Sequence, residues 1–220
     1  MVHTSESSIP RRTYRQSCPL ARALDAVGDR WTLLIVRELL LGPRRYGELQ
    51  RGLPGIGTNL LADRLKGMER LGLVRRAPAI GGHRWSLTAA GCNLEPALVE
   101  VIRWAIKTRL PSRPDDHIRA EWDMVAMKAL YRGPRDKSVD GRYRLTLNGL
   151  AAELVVRAGR LQATVGPVDA PEASIEMDSA TGWMLAKQSL DAAEALKTGR
   201  LRIDGDRDRA IRLLACFRVD

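Results

Sequence analysis

The sequence is poor in what membranes, disulfide frameworks and catalytic centres require. Among 220 residues there are three cysteines, three histidines and a single phenylalanine. Cys18, Cys92 and Cys216 cannot build a disulfide framework, and none stands at metal-ligand spacing from His3, His83 or His117. No metal site and no cofactor are expected, and a reducing cytoplasm is the expected location. The longest apolar run, Trp31 to Val36, is six residues long and includes Thr32, whereas a membrane span needs about 20. The first 16 residues carry Arg11, Arg12 and Arg15 with no apolar segment behind them, unlike a secretory signal. A Gly-x-Ser-x-Gly elbow, a phosphate-binding loop and a dinucleotide fingerprint are all missing, so no enzyme is expected and no catalytic residue is named. Asp204, Asp206 and Asp208 resemble a metal loop only loosely and read more simply as a helix cap.

Acidic residues are scarce in one half only. Residues 1–110 hold 18 Lys and Arg against 9 Asp and Glu, and residues 111–220 hold 18 against 17. Nearly all of the net charge of +10 therefore lies in the first half. A general taste for arginine would load both halves alike and would not strip acids from one. The asymmetry points to a module that meets a polyanion, joined to one that does not. With 45% hydrophobic and 28% charged residues, the chain is otherwise ordinary for a globular protein.

Pro111-Ser-Arg-Pro-Asp-Asp116 reads as a linker. Boundaries follow at 1–17 for a basic arm, 18–110 for a first domain, 111–117 for the linker and 118–220 for a second domain. In the first domain, Pro19 to Val27 is predicted helical and is closed by Gly28. Asp29 is placed to cap a very apolar helix over Arg30 to Leu41. Tyr46 to Arg51 gives a short helix, and Gly52-Leu-Pro-Gly-Ile-Gly57 a turn. Thr58 to Leu71 is then a helix with Leu61, Leu65 and Met68 on its inner face. Strands within 74–87, turning through Ile80-Gly-Gly82, form a wing beside this helix-turn-helix. Thr88 is expected to cap a helix running to about Arg109. Its stripe Leu94, Leu98, Val101, Ile102 and Ala105 suits a homodimer contact.

Several motifs occur here in order: Cys18-Pro-Leu-Ala-Arg, Val27-Gly-Asp-Arg-Trp-Thr-Leu-Leu-Ile, Gly42-Pro-Arg-Arg-Tyr-Gly-Glu-Leu, Leu53-Pro-Gly-Ile-Gly57, Leu61-Ala-Asp-Arg-Leu-Lys66 and Ser86-Leu-Thr88. Over residues 18 to about 107 the chain resembles the HxlR-type branch of the MarR-like winged-helix regulators. It departs from that family's usual serines with Gly57 and Ala62. The resemblance implies a dimeric transcription regulator on double-stranded DNA. Some members of the family respond to oxidants or electrophiles through a cysteine at the place of Cys18.

The second half alternates as strands do: Tyr143, Leu145 and Leu147 face one way, Arg142, Arg144 and Thr146 the other. Strands and helices follow in an order that makes the whole chain α+β, a winged helix-turn-helix plus a mixed domain. The runs Asp140-Gly-Arg-Tyr-Arg-Leu-Thr-Leu-Asn-Gly149 and Leu196-Lys-Thr-Gly-Arg-Leu-Arg-Ile-Asp-Gly-Asp206 resemble the sterol carrier protein domain, over about residues 118–220. That resemblance implies an apolar cavity for hydrophobic molecules.

For DNA, the expected contacts are Thr58, Asn59, Asp63 and Lys66 on the recognition helix, Arg44 and Arg45 as phosphate clamps, and His83 and Arg84 on the wing. Arg64 is read as structural. For a hydrophobic effector the expected lining is Trp122, Met127, Met177, Trp183, Met184 and Phe217, soft or large residues that would equally suit a core. Cys18 precedes the first helix, whose dipole, with Arg15 and Arg22 nearby, would favour a thiolate. Cys92 and Cys216 are read as core. The leading reading is thus an effector-modulated regulator. A redox regulator switched through Cys18 is the alternative, and a lipid carrier with a basic membrane-facing half a third.

Overall fold

The computed structural model describes residues 13–111, 113–134 and 137–219, so most of the basic arm, with Arg11 and Arg12, lies outside the described residues. The first half is helical: α1 (Pro19–Val27), α2 (Thr32–Leu39), α3 (Tyr46–Gly52) and α4 (Thr58–Arg70) precede an antiparallel pair, β1 (Val74–Ala79) and β2 (Gly82–Leu87). Ile35, Val36, Leu49, Leu61, Leu65, Met68 and Trp85 close one core around α2. The expected helical period of α4 is therefore realised. Asp29 does not cap α2; its carboxylate pairs with Arg64 at 2.5 Å, and α2 starts two residues later than expected. That pair gives Arg64 its structural role.

The helix expected from Thr88 to about Arg109 is two helices, α5 (Ala89–Cys92) and α6 (Glu95–Lys107). Thr88 does cap, its Oγ1 accepting from Gly91 N–H at 3.1 Å. Pro96 then sits in the first turn of α6, where its missing N–H is harmless; one continuous helix would place its ring against the Cys92 carbonyl. Cys92 is exposed rather than part of a core, whereas Cys216 is buried.

In the second half, α7 (Ala120–Leu130) leads into β3 (Gly141–Leu147), β4 (Leu150–Arg157), β5 (Arg160–Val165) and β6 (Ala173–Met177). Then come α8 (Ser179–Ala186), α9 (Ala192–Lys197), β7 (Leu201–Gly205) and α10 (Arg207–Leu214). The five strands lie in the order β5-β4-β3-β6-β7, antiparallel except for the parallel pair β3 and β6. Tyr143, Leu145 and Leu147 all point inward, as their alternation predicts, and meet Leu154, Ile175 and Leu213 in one core. Asp206 caps α10 by accepting from Arg209 N–H at 2.9 Å, the simpler of the two readings of that acidic cluster.

The halves are joined by more than the chain between them. Leu41 and Leu98 are buried in the core of the second half, and Val165 N–H donates to the Leu41 carbonyl at 3.1 Å. On α6, Leu98 is covered and Ile102 and Ile106 pack against the same core, while Val101 and Trp104 stay 51% and 59% exposed. The apolar stripe expected to face a second subunit is thus divided. One side of it is filled by α7 of the same chain, and a narrower exposed side remains.

Candidate nucleic-acid interface and apolar pocket

Helix α4 presents Thr58, Asn59, Asp63, Lys66 and Arg70 on its exposed side. Its start is held by α3: Tyr46 donates through its hydroxyl to the Thr58 carbonyl at 2.6 Å, and Gln50 Nε2 donates to Thr58 Oγ1 at 2.9 Å. Thr58 is therefore engaged within the turn, and Asn59 and Lys66 stand beyond it. The two arginines before α3 have local roles. Arg45 reaches the wing tip, donating to the carbonyls of Ile80 and Gly81. Arg44 pairs through its backbone with Trp85 in both directions, and its Nε and Nη2 are buried. Both anchor the wing to the helices. On the wing, His83 is exposed and Arg84 is half-buried, its Nη1 donating to the Pro43 carbonyl at 3.1 Å. Arg75 and Arg76 of β1 are exposed basic side chains that sequence reasoning passed over; their position in a wing strand was the signal available.

The second half holds an apolar pocket between α7, α8 and the inner face of the sheet. It is a partly open cleft, and the cavity within it has a volume of about 30 Å³. Of the six residues expected to line it, Met127, Met177, Trp183 and Phe217 do so, and Trp122 and Met184 do not. Sequence reasoning missed Leu147, Gly182, Leu214 and, above all, Asp123. The α8 end of the pocket is fixed by Asp178, whose Oδ1 accepts from Thr181 N–H at 2.6 Å, a bond that also holds this carboxyl below its ordinary range. Beside Phe217, with ring centroids 5.4 Å apart, burial pushes the Tyr131 phenol up to about 12.

Trp122 lies instead at the junction of the halves. Its Nε1 donates at 2.9 Å to Oε1 of Glu38, a carboxylate only 4% exposed on α2. Arg37 donates to the same oxygen through Nη2 at 2.7 Å and lays its guanidinium 4.4 Å from the Trp122 ring centre. Burial pulls Arg37 below its ordinary value, against the attraction of Glu38. One turn earlier, Arg119 Nη1 donates to the Arg51 carbonyl of α3 at 2.5 Å. The bidentate hydrogen bonds Arg119 makes to Glu121 hold that carboxyl below its usual range and raise Arg119. Lys128, further along α7, pairs with Glu95 of α6 at 2.7 Å. Cys18 is exposed and occupies the N-cap position of α1.

A three-helix core, an exposed second helix and a two-stranded wing define the winged helix-turn-helix class of transcriptional regulators. Residues 26–112 match the HxlR-like helix-turn-helix family, and residues 127–218 match the SCP-2 sterol transfer family. The HTH-type transcriptional regulator YvaP of Bacillus subtilis, itself uncharacterised, is 37% identical over 101 residues, which make up 44% of this chain and 94% of YvaP. MT3179 of Mycobacterium tuberculosis, likewise an uncharacterised HTH-type regulator, is 44% identical over 88 residues, 39% of this chain and 55% of that protein. The chain thus spans about half the length of the mycobacterial relatives it matches. The crystal structure of PA1607, a candidate transcription factor, aligns at 36% identity and a TM-score of 0.42, over 48% of this chain and 74% of that one. The chain belongs to the HxlR-like helix-turn-helix family, and carries a segment of the SCP-2 sterol transfer family after it. Among the described residues no helix is long and apolar enough to cross a membrane.

Proposed function

We propose that the protein is a dimeric regulator that reads duplex DNA with α4 and the wing and responds to an apolar small molecule held in the pocket of its second half. The observation that carries this reading is the position of α7. Met127 of α7 lines the pocket, while Trp122 of the same helix and Arg119 at its N-cap hold α2 and α3. Helix α3 in turn fixes the start of α4 through Tyr46 and Gln50. A ligand that changes how α7 packs therefore acts on the base of the recognition helix, provided that it binds the DNA-competent and DNA-incompetent states unequally. Asn59 is assigned to base contact, Lys66 and Arg75 to phosphate, and Arg44 and Arg45 to holding the wing.

The proposed dimer contact is the exposed apolar surface on α1 and α6. Leu20 and Leu24 on α1 and Val101 and Trp104 on α6 are all exposed, and α1 buries only Ala21. Sedimentation of the full chain should show a dimer at micromolar concentration, and the double variant Leu20→Glu, Trp104→Glu a folded monomer.

The central experiment selects bound duplexes from a random pool with the full chain. It then measures affinity for the selected duplex with and without a pocket ligand found by thermal shift. A coupling of about 1–3 kcal/mol, or 5–150-fold in affinity, is expected. No change at saturating ligand would leave the second half as a scaffold and transfer the switch to Cys18. Its exposed thiol would then be tested by the effect of diamide on duplex affinity in wild-type and Cys18→Ser chains.

A further inference from the structure

The tip of the wing presents one large apolar side chain. Ile80 is 95% exposed, in the two-residue turn Ile80-Gly81 that joins β1 to β2. A single exposed isoleucine is ordinary on a protein surface, but the setting of this one is not. The turn is braced from the helices by Arg45, whose guanidinium donates to the carbonyls of Ile80 and Gly81. Gly81 admits that brace: its φ of +76° suits glycine, and a Cβ there would stand 3.1 Å from Arg45 Nη1. Ala79, Gly81 and Gly82 around Ile80 carry nothing larger than a methyl group, so the tip is narrow. Behind it Arg75, Arg76 and His83 are exposed, and Arg84 is half-buried. The wing is thus an apolar point held in place on a basic stem.

We propose that Ile80 is a specificity-determining residue, which enters the minor groove of duplex DNA beside the bases that α4 reads and disfavours a G·C pair at the position it covers. This rests on the proposed use of α4 and the wing as the DNA-binding surface. With α4 in the major groove, the adjoining minor groove is left to the wing. The floor of that groove is chemically simple: every pair shows acceptors, and a G·C pair adds the guanine N2 amino group, a donor. The isoleucine side chain neither donates nor accepts hydrogen bonds. Seated over the amino group, it would displace water from a donor and leave that donor without a partner. The acceptors are common to all pairs, so the amino group makes the difference. The Arg45 guanidinium acts in the same direction, because A·T-rich minor grooves are narrow and strongly negative.

Selection of duplexes from a random pool by the full chain should return A·T at a position beside the core that α4 reads. Duplexes that differ only there isolate the amino group: A·T, G·C, and inosine·C, which keeps the major-groove edge of G·C but lacks the N2 amino group. The G·C duplex should bind roughly fivefold or more weakly than A·T, and inosine·C within about twofold of A·T. Ile80→Ala should bring G·C within about twofold of A·T and leave discrimination at the core bases unchanged. Its melting temperature should match that of wild type, because the side chain is exposed. An A·T preference that survives Ile80→Ala would belong to groove shape and Arg45, and overturns the role of Ile80. Inosine·C binding as weakly as G·C overturns it too, since the penalty would then lie outside the minor groove. A selected core with no preference beside it overturns the proposal and leaves α4 as the reader. If no duplex is selected, the DNA-binding reading itself fails, and the assignment of Ile80 with it.

Discussion

Helices α4 and α7 are similar in length and opposite in what they do with their polar side chains. Both bury an apolar face: Leu61, Leu65 and Met68 in α4, and Met124, Val125, Ala129 and Leu130 in α7. On α4 Asn59, Asp63, Lys66 and Arg70 are left to solvent, and only Thr58 and Arg64 are engaged, with Gln50 and Asp29. On α7 they are turned against the same chain: Trp122 on Glu38, Asp123 on Trp183, Lys128 on Glu95. An exposed polar face costs little to keep and can be recruited by an outside partner. A polar face engaged internally couples the elements that it touches. The contrast suits α4 to the proposed role of reader and marks α7 as the joint between two halves, and it can be broken by substitutions that act on one and spare the other.

The largest effect is expected at the joint. Glu38 Oε1 accepts from Arg37 Nε, Arg37 Nη2 and Trp122 Nε1, and the carboxylate is buried. Arg37→Ala removes its charge partner and should destabilise the protein by about 3–5 kcal/mol, because the remaining charge is left uncompensated. Urea denaturation of the full chain measures this. A loss of under about 1 kcal/mol would mean that the junction tolerates water, and α7 would cease to be a rigid joint.

On α4 the same measurement should stay nearly silent. Asn59→Ala should shift folding stability by no more than about 0.5 kcal/mol, as for other exposed positions. It should nonetheless cost about 1–3 kcal/mol in discrimination between a selected duplex and random DNA. Lys66→Ala should weaken binding to all duplexes alike and reduce the salt slope by about one. If Asn59→Ala lowers affinity for every sequence equally, α4 is not the reader.

What the sequence made legible follows the same contrast. The helical period of α4, the breaker-rich turn before it and the wing turn are local signals, and each is realised in the fold. The inner face of β3 was equally clear, because strand alternation at Tyr143, Leu145 and Leu147 needs no knowledge of the partner strand. The joint was not legible. Glu38 reads in sequence as one acid in an apolar helix, and its partners Arg37 and Trp122 are brought together only by the packing of α7 on α2. Trp122 and Met184 were assigned to a pocket because large apolar side chains suit one, but residue type does not say which face a helix turns inward. Asp123 was missed for the complementary reason: an acid at the wall of an apolar pocket has no pattern of its own. Pro96, by contrast, was in plain view, and reading it as a helix start would have divided α5 from α6.

A smaller effect tests the pocket wall. Gly182 sits within α8, and a methyl group there would meet Met177 Sδ at 3.6 Å and Leu147 Cδ2 at 3.9 Å, ordinary contact distances. Gly182→Ala should therefore stabilise the chain by about 0.5–1 kcal/mol through helix propensity, while narrowing the pocket by one methyl group. A melting temperature that falls instead would show that α8 needs the freedom of glycine at this point.

The smallest expected effect lies at the start of α7, and pH reveals it. Glu121 is hydrogen-bonded by Arg119, which lowers its folded pKa, although its partial burial works the other way. A carboxyl whose pKa is lower folded than unfolded binds more protons when unfolded, so it adds stability above the unfolded value. That contribution is lost as pH falls through the folded value. The pair is partly exposed, so it should be worth about 1 kcal/mol or less near pH 7. Wild type and Glu121→Gln should differ by this amount at neutral pH and converge as the pH drops through and below the carboxylate range near pH 4. A gap that is constant with pH would assign the loss to packing rather than charge. Because Arg119 also donates to the Arg51 carbonyl of α3, the same variant carries a second readout. If Glu121 orients Arg119, duplex affinity should weaken in Glu121→Gln at neutral pH and match wild type in acid, following the stability gap. An unchanged affinity would confine Glu121 to the second half and leave the grip on α3 to Arg119 and Trp122.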